Sequence, residues 1–212
     1  MLELIYPSVC GICEKIDKEY LCEECKEKLK KYCINEIEDC KENKRVYYDH
    51  KIKILRYENI VREKIIEYKF NEKTYLYNTM EKIILNDEKI CSFLKKYDII
   101  IPVPMYKKRK QSRGYNQTEL ISKKLAKDLK IESSNKVLRK VIDTKKQSTL
   151  TKKERIKNVE NAFNVVNSKS IENKNVILLD DIFTTGSTLN ECSRMLKLAG
   201  TKEIAILTIA VD

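Results

Sequence analysis

Two groups of residues have types and spacings that can do chemistry. The first lies in Val176–Thr188, where Val-Ile-Leu-Leu leads into adjacent carboxylates at Asp180 and Asp181. Ile182 and Phe183 follow, then a loop of hydroxyls around one glycine, Thr184-Thr185-Gly186-Ser187-Thr188. A helix beginning behind such a loop suits a phosphate, because the free N–H groups and dipole of its first turn favour an anion. Two carboxylates beside a bare phosphate would repel it. They make sense if the phosphate belongs to a sugar whose hydroxyls donate to Asp180 and Asp181. The second group is Cys10-Gly-Ile-Cys13 with Cys22-Glu-Glu-Cys25. Each C-x-x-C turn faces two thiolates towards one ion, and two such turns complete a tetrahedral shell of four cysteines. Zinc is the default ion for a soft, closed thiolate site, and an iron–sulfur cluster needs the same ligands.

The elements that must position these residues follow from periodicity. The apolar run from Val176 predicts a strand buried on both faces of a parallel sheet. Leu189, Cys192, Leu196 and Ala199, stepped by three and four, predict a helix, with Gly200 at its C-terminal cap. Asp98–Pro104 reads as a second buried strand whose prolines mark its exit from the sheet. Lys107-Lys108-Arg109-Lys110-Gln111-Ser112-Arg113-Gly114-Tyr115-Asn116-Gln117 then reads as a basic loop at the strand's carboxyl end, where open α/β sheets place ligands. Asn116 and Glu119 form a capping-box pattern ahead of a helix through Leu120, Ile121, Leu125 and Leu129. Upstream, Arg45–Tyr48 and Lys51–Tyr57 alternate like two strands turning at Asp49-His50. His50 is the only histidine and is expected on that turn, facing solvent. Helices are predicted over Ile60–Phe70 and about Tyr75–Leu85, and Glu203–Ala210 predicts a closing buried strand.

The bulk composition narrows the setting. A chain of 212 residues, 42% hydrophobic and 35% charged, has room for one α/β domain and a small appendage. No run approaches the ~18–20 apolar residues of a membrane span. The first residues show no basic stretch followed by a long apolar core, so a secretory signal is not expected. The reading is cytoplasmic, and eight cysteines in a reducing compartment point to metal or free thiols. Residues 1–45 hold few large apolar groups, so a bound metal is expected to supply their folding free energy. Cys33 and Cys40 could replace one knuckle, form a second incomplete site, or remain free thiols. Cys91 and Cys192, in apolar contexts, read as small core residues. The net charge of +11 is concentrated: Ile101–Glu160 carries eighteen Lys and Arg against six Asp and Glu. Such segregation suits a polyanionic partner, whether a pyrophosphate or a nucleic acid.

Val176–Thr188 closely resembles the phosphoribosyl pyrophosphate (PRPP) motif of type I phosphoribosyltransferases. The resemblance implies that Asp180 and Asp181 hold the ribose hydroxyls and Thr184, Thr185, Gly186, Ser187 and Thr188 wrap the 5′-phosphate. It implies a pyrophosphate loop at Lys107 and Arg109, with Mg²⁺ carried largely by the pyrophosphate. A narrower pattern is similar to the ComF family. It comprises the four-cysteine knuckles, Tyr68-Lys69-Phe70, Pro102-Val103-Pro104, Arg113–Gln117, Leu138-Arg139, Gln147–Leu150, Arg155, Asn158 and Asn161-Ala162-Phe163, in that order. Departures are small: Tyr115 for Phe, Asn161 for Gly and Ser187 for Ala, none costing a charge or ligand.

The fold class implied is α/β: a type I phosphoribosyltransferase-like parallel sheet with flanking helices, behind a small N-terminal zinc domain built on four cysteines. The expected boundaries are 1–45, zinc-ribbon-like, and 46–212, phosphoribosyltransferase-like. Thr144–Asn158 is either the hood that closes over PRPP in the resembled fold or an exposed basic helix–loop. The expected role is DNA uptake in natural transformation. PRPP with Mg²⁺ would bind at the acid-pair motif, and single-stranded DNA at Lys107, Lys108, Arg109, Lys110, Arg113 and Tyr115, alongside other DNA-uptake proteins. Tyr106 and Tyr115, interleaved with the cations, could stack on bases. The alternatives are an active phosphoribosyltransferase of nucleotide metabolism, with Asp180 and Asp181 catalytic, and a PRPP sensor without chemistry. No nucleobase pocket is legible.

Overall fold

In a computed structural model of the chain, residues 8–70, 73–144 and 151–212 are described. The predicted strand at the acid pair is β7, Asn175–Phe183, and it runs through both carboxylates rather than stopping before them. Val176, Ile177, Leu178 and Leu179 are fully buried, which requires layers on both sides of the strand. Those layers exist because β7 is central. It pairs in parallel with β8, Glu203–Val211, on one side and with β3, Ile99–Pro102, on the other. The sheet continues through β2, His50–Arg56, parallel to β8, to β1, Cys33–Asp39, antiparallel at that edge. The short β4, Glu132–Ser133, closes the opposite edge beside β3. The order is β1-β2-β8-β7-β3-β4.

Alternate residues of β7 serve different layers, as a two-residue side-chain period dictates. Ile177 and Leu179 join a core with α2, Asn59–Phe70, α3, Leu76–Leu85, α4, Glu88–Leu94, and α6, Gln117–Leu129. Val176 and Leu178 face the other core, with α8, Ser187–Leu198, and the antiparallel pair of β5, Leu138–Lys140, and β6, Phe163–Val165. One consequence reaches the site: Asp180 projects to the α8 side and Asp181 to the α2 side.

Several expectations change. The predicted Arg45–Tyr48 strand does not form; β2 instead finds its antiparallel partner in β1, before residue 45. Alternation in Arg45–Tyr48 is real, but Tyr48 packs in the core from the irregular connection between β1 and β2. His50 begins β2 rather than sitting exposed on a turn. Its Nδ1 lies 3.1 Å from both the Tyr97 hydroxyl and Glu203 Oε1, so it is sequestered between elements. The basic segment is a helix, α5, Lys107–Arg113, ended by Gly114 in the left-handed conformation (φ +84°). The capping box at Asn116 is not made, although α6 starts where expected. Asn116 Nδ2 instead donates to Val103 O at 3.1 Å, and Glu119 binds Lys110 and Lys123.

The first cysteine pair lies ahead of α1, Glu23–Lys30, while Cys22 is the N-cap of that helix and Cys25 sits in its first turn. Both pairs share the α2-side core: Cys10, Leu21, Cys25, Leu29 and Tyr32 are buried in the same cluster as Ile54 and Leu207. Gly11 sits so close to α3 that a Cβ there would fall 2.3 Å from Thr79 Oγ1. Among the described residues no helix is long and apolar enough to cross a membrane.

Candidate functional site

Beyond the carboxyl ends of β3 and β7 opens a cavity of about 720 Å³. Asp180, Asp181, Thr184 and Thr188 line it from the β7 side. Asp180 Oδ1 accepts from the Asp181 backbone N–H at 2.9 Å, which keeps the two carboxylates in fixed relation. Asp181 Oδ1 accepts from Lys69 Nζ, at the end of α2, also at 2.9 Å. Burial, and then the neighbouring Asp181 charge, push the Asp180 carboxyl up to about 7.

That shift has a checkable consequence for stability. An unfolded aspartate titrates near ~3.9, so between about pH 4 and 7 the folded chain keeps a proton that the unfolded chain has lost. Its contribution to stability is therefore present at low pH and declines as pH rises through that window. Asp180→Asn cannot titrate. Its unfolding free energy, measured by denaturant melting without ligand, should gain on the wild type from about pH 4 to pH 7 and run parallel above, the difference growing by at most about 1.4 kcal/mol per pH unit. Parallel curves throughout would show that Asp180 ionises normally.

The loop after β7 turns at Gly186, whose φ of +71° favours glycine. A Cβ there would also strike the Phe183 ring at 2.7 Å. Thr185 Oγ1 and Ser187 Oγ lie 2.8 Å apart, and the Ser187 N–H donates to Thr185 Oγ1 at 3.4 Å, drawing the loop into a curl at the N-terminus of α8. Thr184 and Thr188 reach the cavity lining, while Thr185, Gly186 and Ser187 shape the curl behind them.

Cations line the remaining wall: Arg62, Lys69, Arg109, Arg113, Lys140 and Arg155. Arg109 pairs with Asp143 Oδ1 at 3.3 Å and donates to Thr144 O, joining α5 to the strand end beyond β5. Burial, then the Arg109 guanidinium, hold the Lys140 amine below its ordinary range. Arg113 lies over the Phe70 ring, 5.2 Å from its centroid. Lys110 turns away to Glu119 at 2.6 Å, whereas Lys107 and Lys108 are exposed on α5. Tyr106 lines the cavity. The Tyr115 ring packs on Tyr68, and its hydroxyl donates to Tyr68 O at 2.6 Å.

Thus one cavity gathers Asp180, Asp181, Thr184, Thr188, Arg109 and Arg113, while Lys107, Lys108 and Lys110 lie outside its lining. Arg62 and Lys140 were not singled out from the sequence, whereas Lys69 and Arg155 entered only as parts of the ComF-like pattern, with no place in the site assigned to Lys69. What brings the four together is the return of α2, β5 and α7 to the end of β7. Residues 145–150 of the expected hood lie outside the described residues. The part beyond them is a helix, α7, Lys152–Val159, opened by a capping box between Thr151 and Glu154.

The four cysteines at the N-terminus come together as their spacing requires. All four sulfurs lie within 4.8 Å of one another, and Cys13 Sγ and Cys22 Sγ are 3.8 Å apart. A tetrahedron with ~2.3 Å metal–sulfur bonds has edges of about 3.8 Å, so the donor set fits a zinc-sized ion. Cys22 N–H points at Cys10 Sγ at 3.5 Å, favouring the thiolate that a metal needs. Cys33 and Cys40 are not in the group: their thiols face the carbonyls of Leu29 and Glu38.

The fold is of the phosphoribosyltransferase type, and the family model for the phosphoribosyl transferase domain matches residues 116–212. The chain belongs to the ComF family. It is 37% identical over 150 residues to Competence protein F of Haemophilus influenzae, covering 69% of this chain and 66% of the relative. It is 33% identical over 145 residues to Competence protein ComFC of Bacillus subtilis, covering 59% and 57%. The DNA utilization protein YhgH of Escherichia coli K12 is 24% identical over 145 residues, covering 67% and 63%. The chain thus spans just under two thirds of these relatives, or less. Among solved structures, glutamine PRPP amidotransferase from Bacillus subtilis overlaps 68% of this chain and 30% of its own, at 16% identity and a TM-score of 0.46.

Proposed function

We propose that the cavity binds PRPP, in a cytoplasmic protein that serves DNA uptake. The observation that carries this is the meeting of an acid pair, a curled hydroxyl loop at a helix N-terminus and a wall of cations around one space. Asp180 and Asp181 accept from the ribose hydroxyls, and the Thr184–Thr188 loop with the first turn of α8 takes the 5′-phosphate. Arg109 and Arg113 from α5 and Lys140 from β5 face the pyrophosphate, with Lys107 at the start of the helix that carries the two arginines. When bound with that pyrophosphate, Mg²⁺ would supply charge neutralisation beside these cations. If a base attacks, positive charge develops on the ribose and Asp180 and Asp181 stabilise it electrostatically. The Cys10, Cys13, Cys22 and Cys25 site holds zinc as a structural ion. Calorimetry with PRPP and Mg²⁺ tests the reading, and no heat of binding would remove it. Pyrophosphate release across a panel of bases then separates an enzyme from a sensor, which binds and releases nothing.

Single-stranded DNA is the second ligand, carried by the basic surplus of residues 101–160. Exposed Lys107 and Lys108 lie on α5, whose Arg109 and Arg113 line the cavity, so strand and PRPP would meet along one helix. Affinity should fall steeply with salt. Lys107→Gln and Lys108→Gln should each reduce the slope of log affinity against log salt by about 1, read by fluorescence anisotropy. A flat salt response would place DNA elsewhere.

A further inference from the structure

Helix α2 is held at two points. Lys64 is only 5% exposed, and its Nζ donates to Glu14 Oε1 at 3.2 Å and Glu67 Oε2 at 3.0 Å. Lys73 Nζ donates to the same two oxygens at 2.6 and 3.1 Å. Two lysines and two carboxylates close a ring between α2 and the cysteine knuckle. Glu14 directly follows Cys13. Its φ of +63° and its N–H bond to Cys10 O, 2.8 Å, belong to the knuckle turn itself. The knuckle therefore sets where Glu14 sits, and Glu14 helps set where α2 sits.

Five residues after Lys64, about 7.5 Å along the helix, comes Lys69, whose Nζ reaches Asp181 in the cavity at 2.9 Å. This end of α2 is tied to the start of α6: Tyr68 OH donates to Gln117 O at 2.9 Å, and Gln117 Nε2 donates to Lys69 O at 3.5 Å. Only Lys64 of this cluster is buried, and Glu14 is about half exposed, so solvent screening keeps the cluster's contribution to stability small. Its directional bonds do fix relative position.

We infer that Lys64 is a positioning residue: by locking α2 to the metal knuckle it holds Lys69 against Asp181, so the phosphoribosyl cavity reads whether the knuckle is intact. The inference rests on the PRPP reading of the cavity. Lys64→Met removes the buried half of the lock, while Lys73, beyond the end of α2, still shares Glu14 and Glu67, so the fold should be retained as the helix loosens.

A double-mutant cycle on PRPP affinity, by calorimetry with Mg²⁺ on the metal-loaded protein, tests it. Lys64→Met should weaken PRPP about tenfold, and Lys69→Met at least as much. The double variant should bind no more weakly than Lys69→Met alone, because the effect travels through Lys69. Lys64→Arg should stay within about twofold of wild type. Metal content should remain one ion per chain in all four. Glu14→Gln loosens the same lock from the knuckle side, should show the same dependence on Lys69, and replaces Lys64→Met if that variant does not fold. Wild-type affinity in Lys64→Met, or losses that multiply in the double variant, would overturn the inference alone. Failure of the wild type to bind PRPP would overturn the reading of the cavity, and this inference with it.

Discussion

Cys10→Ser is expected to yield protein with less than one metal ion per chain and a melting temperature at least ~10 °C lower. Cys10 and Cys25 are fully buried, and their cluster is continuous with the core that contains Ile54 and Leu207. A four-thiolate metal site contributes on the order of 10 kcal/mol of folding free energy, comparable with the ~5–15 kcal/mol net stability of a whole domain. Loss of even about 4 kcal/mol lowers Tm by roughly 8–16 °C in a chain of this size. Metal analysis with thermal melting reads both effects, and a chelator titration on wild type should reproduce them. Unchanged melting in a metal-free Cys10→Ser protein would show that burial, rather than an ion, holds the knuckle. Cys33→Ser is the control, because the Cys33 thiol faces Leu29 O outside the group.

Asp181→Asn should reduce PRPP affinity by roughly 100-fold and abolish any pyrophosphate release. The carboxylate faces the cavity with Lys69 on one oxygen, leaving the other to accept from a sugar hydroxyl. A hydrogen bond to a charged group contributes about 1.5–3 kcal/mol. The amide removes that charge and also offers Lys69 an N–H in place of half its acceptor, so both terms act in one direction. The change is isosteric and the strand is bonded through its backbone to β8, so melting should shift little. Calorimetry beside a thermal melt distinguishes loss of the ligand from loss of the fold. Wild-type affinity in Asp181→Asn would move the ribose away from the acid pair.

The sequence by itself determined the chemistry-bearing strand. Val176–Leu179 could only be buried on two sides, and the residues after them are of the kinds that a sugar phosphate needs. It determined the cysteine knuckles too, since four thiols spaced in two tight turns converge locally. Both are short-range consequences, set within about fifteen residues. Tertiary structure decided the rest. Arg45–Tyr48 and Cys33–Asp39 each offered β2 a partner, and long-range pairing chose the latter. Lys69, Lys140 and Arg155 reach the cavity from three separate elements, whose return to the end of β7 no local pattern records. The basic segment became helix α5, which turns some of its cations into the cavity and others to solvent. Periodicity over seven residues is too short to foretell that division. The lock between Glu14 and Lys64 joins positions fifty residues apart in sequence. It arises because α2 packs where the knuckle ends, a fact of packing alone.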